Sequence, residues 1–332
     1  MNKNIAIIFG GTSPEYNVSL NSAYSVITNL DNYNLYKIAI APNGSFYLFE
    51  GDNRLIPEDK WQNYTKTLSV NLSENCFICD GKKIKIDLII PMIHGEIGED
   101  GSIQALGKIM NIKVLGSSIL SSALCLDTYR SHLLAQSINI KTANSILLKK
   151  GDQVDIGHLK YPLFIKPVHA GSSYGISKVY KEEELKVAID EAYKYDSEII
   201  IEEYINSFEI GCSIIGNKEL FVGEIDEIEV NAEFFDYEEK YQLTHSAIHL
   251  PARINSELKE KAIETAVKLY RLFDLKDYAR IDLFVDRNNQ IFFNEINTIP
   301  GFTEHSRFPK MMKAKGLNMK DLLSRMIEEE LC

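Results

Sequence analysis

Residues 280–297 read Arg-Ile-Asp-Leu-Phe-Val-Asp-Arg-Asn-Asn-Gln-Ile-Phe-Phe-Asn-Glu-Ile-Asn, and the organisation of the whole chain can be worked out from them. Two runs of β-branched and aromatic residues flank a polar turn, which predicts a β-hairpin. Polar residues interrupt both runs, with Arg280 and Asp282 in the first and Glu295 and Asn297 in the second. Side chains two positions apart in a strand share a face, so pairing of the two strands brings all four to one patch.

That patch has the chemistry of a magnesium–phosphate site. Carboxylate and amide oxygens are the ligands that Mg²⁺ prefers, and a fixed arginine beside them suits a phosphate. A solvated face of an edge hairpin is the alternative that this stretch alone leaves open.

Composition limits the class of protein. The chain has 332 residues, of which 45 % are hydrophobic and 25 % charged, and its net charge is −11. Such a charge disfavours a nucleic-acid or anionic-membrane partner, so a polyphosphate ligand must meet locally placed cations. The apolar run 5–9 is too short for a signal peptide, and no run reaches the roughly 18 apolar residues of a membrane span. We therefore predict a cytoplasmic protein.

The five cysteines include one C-x-x-C pair, Cys76 and Cys79, without a second pair to complete a zinc site. Both cysteines lie in an apolar run before an Asp-Gly turn, which predicts cysteines of a strand or a core.

The N-terminus opens with a strand pattern over Lys3 to Phe9, a Gly10-Gly11 turn and apolar residues at helical spacing. This order is typical of a doubly wound α/β unit whose helix N-terminus can receive an anion or a dipolar ligand. The third glycine of a dinucleotide fingerprint is missing, so NAD is weakly supported. Glu15 in this turn can attract an ammonium group or cap the helix, and both interpretations stay open.

A second glycine-rich loop, residues 94–101, follows the strand pattern 84–92. Loops at the carboxyl ends of parallel strands form ligand crevices, so we expect His94 and Glu99 in the same crevice as Glu15. A purely structural histidine is the alternative. A helix is predicted around Ser121 to Ser137.

Residues 141–215 predict a separate α+β unit. Lys166 ends an apolar strand, where a charge is costly unless it meets an anion. The small-residue loop 169–175 can wrap phosphates with backbone amides, and Glu202 and Glu203 at a strand end can accept from ribose hydroxyls or an adenine amino group. Residues 231–244 suit a loop that closes over a ligand, with a partner-binding loop as the alternative.

Seven motifs in this order resemble the D-alanine–D-alanine ligase family of the ATP-grasp enzymes, and the resemblance covers essentially the whole chain. They are Gly-Gly-Thr-Ser-Pro-Glu-Tyr-Asn-Val-Ser-Leu (10–20), His-Gly-Glu-Ile-Gly-Glu-Asp-Gly (94–101), Phe-Ile-Lys-Pro (164–167), Ala-Gly-Ser-Ser-Tyr-Gly (170–175), Phe-Asp-Tyr-Glu-Glu-Lys-Tyr (235–241), Ala-Arg-Ile-Asp (279–282) and Asn-Glu-Ile-Asn-Thr-Ile-Pro-Gly-Phe-Thr (294–303).

The resemblance implies an α/β chain with three domains. These are an N-terminal doubly wound parallel-sheet domain (1–121), a central ATP-grasp domain (122–212) and a C-terminal ATP-grasp domain (213–332), and the last two are α+β domains that sandwich ATP. It also implies a two-step reaction, in which ATP phosphorylates D-alanine and a second amino acid attacks the acyl phosphate. The implied cofactors are ATP and two Mg²⁺ ions, with Mn²⁺ as an alternative ion, and the implied partners are small amino acids in an enzyme that often forms homodimers.

Site residues carry over from the family motifs to matching positions. Asp282, Glu295 and Asn297 would hold the two metal ions. Lys166 and Lys240 would contact ATP phosphates, and adenine and ribose would be bound by Glu202, Glu203, Ile205 and Glu209. The first amino acid and the reaction would be served by Glu15 at the ammonium group, Ser172 and Tyr241 beside the closing loop, and Arg280 and the Gly301 amide at the oxyanion.

The second substrate is indicated by a departure from the housekeeping pattern. Those ligases usually have leucine after the His-Ser pair, whereas this chain has Arg307 after Ser306. Together with the Phe234-Phe235 pair and Lys240-Tyr241, this arginine resembles the D-alanine–D-serine ligases of vancomycin resistance, whereas D-lactate-adding relatives share the arginine but lack the Lys-Tyr pair. Asp226 and Phe235 are further candidates for the subsite. An arginine can hydrogen-bond a serine hydroxyl, whereas leucine offers only apolar contact to a methyl group. The alternative is that Arg307 contacts a terminal carboxylate or a nearby acid.

Thr128 is a departure that weakens the resemblance, because the family usually has a phosphate-binding lysine at this position. Arg130 or His132 could replace that cation in part, and a raised KM for ATP is expected. Three alternatives remain besides D-serine ligation: a housekeeping D-alanine–D-alanine ligase, an ATP-binding member without activity, and a nicotinamide-dependent dehydrogenase, which rests on Gly10-Gly11 alone.

Overall fold

The structure is a computed structural model, and it describes residues 3–169, 175–230 and 246–331. These residues form three β-sheets with helices packed against them. Among them, none of the helices combines the length and the apolar character that a membrane crossing requires.

The first sheet has eight strands in the order β6-β5-β4-β3-β2-β1-β7-β8. Strands β2, β1, β7 and β8 pair in parallel, as predicted for a doubly wound unit, and β3 to β6 extend the sheet in antiparallel fashion. The bounds are β1 Asn4–Gly10, β2 Asn34–Ile40, β3 Phe46–Phe49, β4 Thr65–Asn71, β5 Cys76–Cys79, β6 Lys82–Ile84, β7 Leu88–Met92 and β8 Lys113–Val114. Helices α1 (Tyr16–Thr28) and α2 (Ser102–Ile109) follow β1 and the 94–101 loop.

The central strand β1 is buried on both faces, which explains its continuous apolar run. Ile5, Ile7 and Phe9 point to one core, and Ala6 and Ile8 to another. The prediction for the C-x-x-C pair is confirmed, because both cysteines are buried in the strand β5.

The second sheet is antiparallel, with the order β11-β10-β12-β9. Its strands are β9 Ser145–Lys149, β10 Leu163–Pro167, β11 Ser177–Val179 and β12 Glu198–Glu203, and α5 (Glu182–Ala192) covers one face. Lys166 and Glu202 lie on the neighbouring strands β10 and β12.

The third sheet contains the hairpin from which the sequence analysis began. Its order is β16-β15-β13-β17-β18, with β14 beside β13. The bounds are β13 Ser207–Ile215, β14 Phe221–Val222, β15 Asp226–Val230, β16 Ser246–His249, β17 Tyr278–Asp286 and β18 Ile291–Asn297. The amphipathic helix α6 (Ser256–Leu272) packs its apolar side on this sheet.

Two C-terminal helices, α7 (Arg307–Ala314) and α8 (Met319–Leu331), return the chain to the first sheet. Phe302, Phe308 and Met312 share one core with Phe9 and Leu20 of the N-terminal unit. This shared core positions the segment after the hairpin against the N-terminal glycine loops.

The single helix predicted around Ser121 to Ser137 is wrong. The chain forms α3 (Ile119–Leu126) and α4 (Thr128–Gln136), separated by Asp127 in an extended conformation. The Asp127 carboxylate accepts a hydrogen bond from the Arg130 backbone N–H at 2.8 Å, so it is the N-cap of α4. A single residue separates the two helices, which is why the sequence did not indicate the break.

Replacing that cap should destabilise the protein. For Asp127→Ala we expect the free energy of unfolding to fall by roughly 1–2 kcal/mol, since a lost N-cap leaves a helix N–H group without its acceptor. Chemical denaturation measures the change. Lys186→Ala, which removes an exposed i,i+4 pair with Asp190, is the control and should change stability by less than about 0.5 kcal/mol. Equal stability of Asp127→Ala and the control would contradict this role.

Candidate active site

The four polar residues of the hairpin meet as predicted. Arg280 is opposite Asn297 and Asp282 is opposite Glu295 across the β17–β18 pair. The Arg280 guanidinium donates to both Asp282 oxygens, at 2.9 Å from Nε and 2.7 Å from Nη2. Asn297 Nδ2 donates to Asp282 Oδ2 at 3.0 Å and to Glu295 Oε1 at 3.2 Å. Arg280 and Asp282 are buried, so this is not the solvated edge of a hairpin.

These donor atoms fit a hard divalent cation. Two carboxylates lie on adjacent strands, and the Asn297 amide turns its nitrogen toward them, which leaves its oxygen for a metal ion or water. A β-bulge after Asp282 leaves Asn294 without a cross-strand partner, and the Asn294 carbonyl accepts from His132 Nε2 instead. Such bulges redirect side chains next to ligand sites.

A cavity of about 330 Å³ opens beside the hairpin. It collects residues from the N-terminal glycine loops, from the hairpin and from the segment that follows it. The lining includes eight predicted site residues: Glu15, His94, Glu99, Arg280, Asn297, Gly301, Ser306 and Arg307. The sequence therefore identified most of the charged wall of this cavity.

Glu15 lies at the entrance to α1, yet its side chain does not form the N-cap hydrogen bond of that helix. A Cβ added to Gly95 would lie 2.7 Å from Glu15 Oε2, so the 94–101 loop approaches this carboxylate closely. Glu15 is thus the N-cap residue by position without a side-chain cap hydrogen bond, and a carboxylate on the cavity wall can hold an ammonium group.

His94 is buried and joins three parts of the chain. Its Nδ1 lies 2.9 Å from the Ile299 carbonyl oxygen, and its Nε2 lies 2.9 Å from Ser22 Oγ. Because a carbonyl only accepts, Nδ1 donates and Nε2 accepts from the serine. Ser22 Oγ in turn accepts from the Phe302 backbone N–H at 3.3 Å. His94 and Ser22 therefore position the segment that contains Gly301.

Sequence reasoning missed Ser22, which is one serine among several in an ordinary amphipathic helix. No local signal distinguishes it from its neighbours, because both of its partners are distant in sequence.

Lys166 and Glu202 form an ion pair on the second sheet. The second carboxylate oxygen of Glu202, Oε2, is buried and accepts no hydrogen bond from the described residues. A buried acceptor without a donor is costly, so Oε2 suits a ligand N–H or O–H group. Glu203 is occupied differently, since it accepts from Asn144 and from the Lys160 backbone N–H. Ile205 lies half-buried between β12 and β13.

Arg307, the first residue of α7, lies over the third sheet. Its Nε and Nη2 donate to the two Asp226 oxygens at 2.8 and 2.9 Å, and its Nη1 donates to Glu209 Oε1 at 2.8 Å. Nη2 is also 3.4 Å from Asp282 Oδ1. Contact with nearby acids, the alternative from the sequence, is therefore confirmed, and it coexists with exposure of Arg307 to the cavity.

Glu209 was predicted beside the ribose, and here it contacts Arg307. Burial, with the neighbouring Asp282 charge, raises the pKa of Glu209 to about 7, and Arg307 opposes this shift. Asp226 is fully buried and accepts two hydrogen bonds from the Arg307 guanidinium.

The two residues that could replace a lysine at position 128, Arg130 and His132, both have other partners within the described part of the chain. Arg130 is paired with Asp127 and Glu198. His132 is buried against Phe293, and burial lowers its pKa, so it is neutral near pH 7. A neutral His132 supplies no cation, whereas partial substitution by Arg130, whose side chain is 43 % exposed, stays a prediction.

Asp127, His169 and Glu198 group their ligand atoms closely enough to hold a metal ion. The same carboxylates are already neutralised by Arg130 and Lys149, so the group is an ion-pair cluster at the start of the 169–175 loop. His169 lies between Asp127 and Asp196, whose hydrogen bonds raise its pKa to about 10.

Four predicted residues lie outside the described part of the chain, together with most of the 169–175 loop and the 231–244 loop. They are Ser172, Phe235, Lys240 and Tyr241.

Comparison with known families matches both halves of the chain. A profile described as the D-ala D-ala ligase N-terminus matches residues 4–117, and one described as the D-ala D-ala ligase C-terminus matches residues 135–328.

Individual relatives cover nearly the full length. Vancomycin C-type resistance protein VanC1 of Enterococcus gallinarum is 41 % identical over an alignment 334 positions long, which covers 98 % of this chain and 97 % of the relative. D-alanine–D-alanine ligase B of Clostridium tetani is 36 % identical over an alignment of 335 positions, which covers 98 % of this chain and 92 % of the relative. The crystal structure of the VanG D-Ala:D-Ser ligase from Enterococcus faecalis superposes with a TM-score of 0.92 at 41 % identity, covering 99 % of this chain and all of the other.

The ion-pair cluster predicts a pH-dependent stability. A histidine whose pKa rises on folding stabilises the protein fully below its unfolded pKa of about 6.5, and this stabilisation is lost as the pH rises toward the folded pKa. Since the folded pKa is about 10, the free energy of unfolding should decline between pH 6.5 and 10. For His169→Gln we expect a shallower decline over this window in denaturant titrations at several pH values. The same slope in both proteins would contradict the charged state of His169.

Proposed function

The chain belongs to the D-alanine–D-alanine ligase family and is an ATP-dependent ligase, and from that premise we propose that it joins D-alanine to D-serine. The observation that carries this proposal is Arg307, a cation on the wall of the cavity where its relatives with D-alanine specificity usually place a leucine. The similarity to the VanG D-Ala:D-Ser ligase supports the same choice.

In the first step, the carboxylate of D-alanine attacks the γ-phosphorus of ATP, ADP leaves, and a D-alanyl phosphate forms. Glu15 is proposed to hold the ammonium group of this amino acid at the N-terminal end of the cavity. Lys166 would neutralise phosphate charge, and Glu202 Oε2 would accept from the adenine amino group. Glu203, Ile205 and Glu209 are the further candidates around adenine and ribose.

Phosphoryl transfer needs positioning and charge neutralisation more than an acid or base. Bound Mg²⁺ supplies most of that neutralisation, and Asp282, Glu295 and Asn297 are the residues that would hold it. Their oxygen donors and the burial of Asp282 support this assignment.

In the second step, the amine of D-serine attacks the acyl carbon, and phosphate leaves from the tetrahedral intermediate. Arg280 and the Gly301 backbone N–H are proposed to stabilise the oxyanion of that intermediate. Both line the cavity, and the Ser22–His94 contacts hold the segment that contains Gly301. Donors that are already in place cost no reorganisation when the charge develops.

The Arg307 guanidinium would hydrogen-bond the hydroxyl of D-serine. Three of its nitrogens already donate to Asp226 and Glu209, but a guanidinium has five N–H groups, so donors remain for a substrate. Bonds to two carboxylates hold the group in place, and a site built to bond a hydroxyl discriminates against substrates that lack it. Phe235 and Ser306 are the remaining candidates for this subsite. Lys240 would contact ATP phosphates, and Ser172 and Tyr241 would link the first amino-acid site to the 231–244 loop when it closes over the ligands.

Several wider parts of the proposal rest on the family. The dipeptide would enter peptidoglycan precursors and reduce their affinity for vancomycin, in keeping with the name of the VanC1 relative. We further propose three domains with boundaries near 121 and 212, a homodimer, and a cytoplasmic location where ATP and free D-amino acids are available.

Substrate choice can be measured directly. With ATP, Mg²⁺ and equal D-alanine and D-serine at neutral pH, we expect D-Ala-D-Ser as the main product of the purified enzyme. Arg307→Leu should shift the product toward D-Ala-D-Ala by roughly tenfold or more, because the hydroxyl loses its donor. Arg287→Leu, at the exposed hairpin turn, is the control and should leave the ratio unchanged. A wild-type enzyme that makes D-Ala-D-Ala equally well or better would be a housekeeping ligase instead.

The dependence of the reaction rate on Mg²⁺ tests the proposed metal-binding role of the hairpin. We expect Glu295→Gln to slow phosphate release from ATP in the presence of D-alanine by at least about a hundredfold, since charge neutralisation by a bound cation contributes several kcal/mol to such transition states. The rate is measured over a Mg²⁺ titration, with removal by EDTA as the zero point. Asp286→Asn, a carboxylate at the far end of the same hairpin, is the control. No phosphate release from the wild type at saturating Mg²⁺ would instead indicate an ATP-binding member without activity.

A further inference from the structure

Gly211 lies in the middle of β13, which runs between β15 and β17 in the third sheet. It is opposite Asp282 on β17 and opposite Asp226 on β15. Its backbone N–H donates to Asp226 Oδ1 at 3.0 Å. A row of three positions therefore crosses the sheet below Arg307, with carboxylates at both ends and no side chain in the middle.

The space above Gly211 is filled by the ion pair of Arg307 and Asp226. A Cβ added to this glycine would lie 2.4 Å from Arg307 Nη2 and 2.5 Å from Asp226 Oδ1. Both distances are far below van der Waals contact, so any larger residue must displace these atoms. We call the space around the guanidinium the Arg307 slot; it is bounded by Glu209, Gly211, Asp226 and Asp282. Because Gly211 has no side chain, the guanidinium lies directly on the backbone of the sheet.

The backbone gives no reason for glycine at this position. Gly211 lies inside a strand, and its backbone φ is not positive. A glycine inside a strand weakens it through lost packing and higher chain entropy, and it often marks a close approach of another group. Here that group is the guanidinium of Arg307.

We infer that Gly211 is a specificity-determining residue of the ligase, which acts by setting the depth and orientation at which Arg307 meets the second amino acid. The inference rests on the proposed function, because it concerns the same subsite. Gly211 itself touches no substrate and is a positioning residue. A substitution of Gly211 should therefore change the selectivity for the second amino acid and have little effect on KM for ATP.

Displacement of Arg307 has a chemical consequence. The guanidinium is held by hydrogen bonds of 2.8–2.9 Å to Asp226 and Glu209, and a methyl group beneath Nη2 breaks this geometry. An arginine raised into the cavity loses its fixed direction and reduces the room for the substrate hydroxyl. Misplacement by about 1 Å at such contacts can cost up to a hundredfold in rate.

A double-mutant cycle tests the inference. The measured quantity is the ratio of kcat/KM for D-serine to kcat/KM for D-alanine as second substrate, in wild type, Gly211→Ala, Arg307→Leu and the double variant. For Gly211→Ala we expect this ratio to fall roughly tenfold, with KM for ATP changed by less than about threefold. In the Arg307→Leu background, the alanine should have no further effect on the ratio. Ser213→Ala, two residues along the same strand face, is the matched control and should leave the ratio unchanged.

The outcomes separate this inference from the proposed function. A wild-type preference for D-alanine defeats the D-serine proposal, but a ratio that responds to Gly211→Ala only when Arg307 is present still supports the inference. An unchanged ratio in Gly211→Ala, or an equal change with and without Arg307, overturns it. If Gly211→Ala does not fold, the double variant should recover at least part of the stability, because leucine removes Arg307 Nη2, the nearer of the two atoms that the methyl group meets, and breaks the ion pair that fixes Asp226. Failure of the double variant as well also overturns the inference.

Discussion

Charge compensation around Asp282 is the constraint on which the rest of the site depends. Its carboxylate is almost completely buried, and an isolated charge in such a place costs several kcal/mol. Arg280 donates three hydrogen bonds to it and Asn297 a fourth, and Arg307 Nη2 lies 3.4 Å away. Arg280 and Asn297 belong to the hairpin, whereas Arg307 begins a helix whose Phe308 and Met312 share a core with the first sheet. Balancing one charge therefore ties the hairpin to the helix that follows it.

The cavity is assembled by the same packing. Glu15 and His94 come from loops of the first sheet, Arg280 and Asn297 from the third sheet, and Gly301 from the segment between them. The core that contains Phe9, Phe302 and Phe308 holds these parts together, and the Ser22–His94 hydrogen bonds set their register. A reaction that needs a nucleotide, two amino acids and fixed oxyanion donors requires such convergence of distant chain segments.

Sequence reasoning succeeded where a pattern has a short-range physical cause. Alternation in the hairpin predicted the strands and the shared face of Arg280 and Asp282, and a buried apolar run followed by Gly10-Gly11 predicted β1 and α1. It failed where the cause lies elsewhere in the chain. The break at Asp127 depends on one side-chain cap, Ser22 matters because of Phe302, and Gly211 matters because of Arg307.

By itself, the sequence determined which chemical groups the site contains and, through its ordered motifs, the family and the reaction class. Only the tertiary structure decided how those groups are shared among neighbours. Glu15, at the N-cap of α1, also lines the cavity, Glu209 and Asp226 hold Arg307, and Arg130 is paired with Asp127 and Glu198. The physical reason is that strand periodicity is a local property, whereas the partner of a buried charge is chosen by which chain segments the packed core brings within a few ångströms.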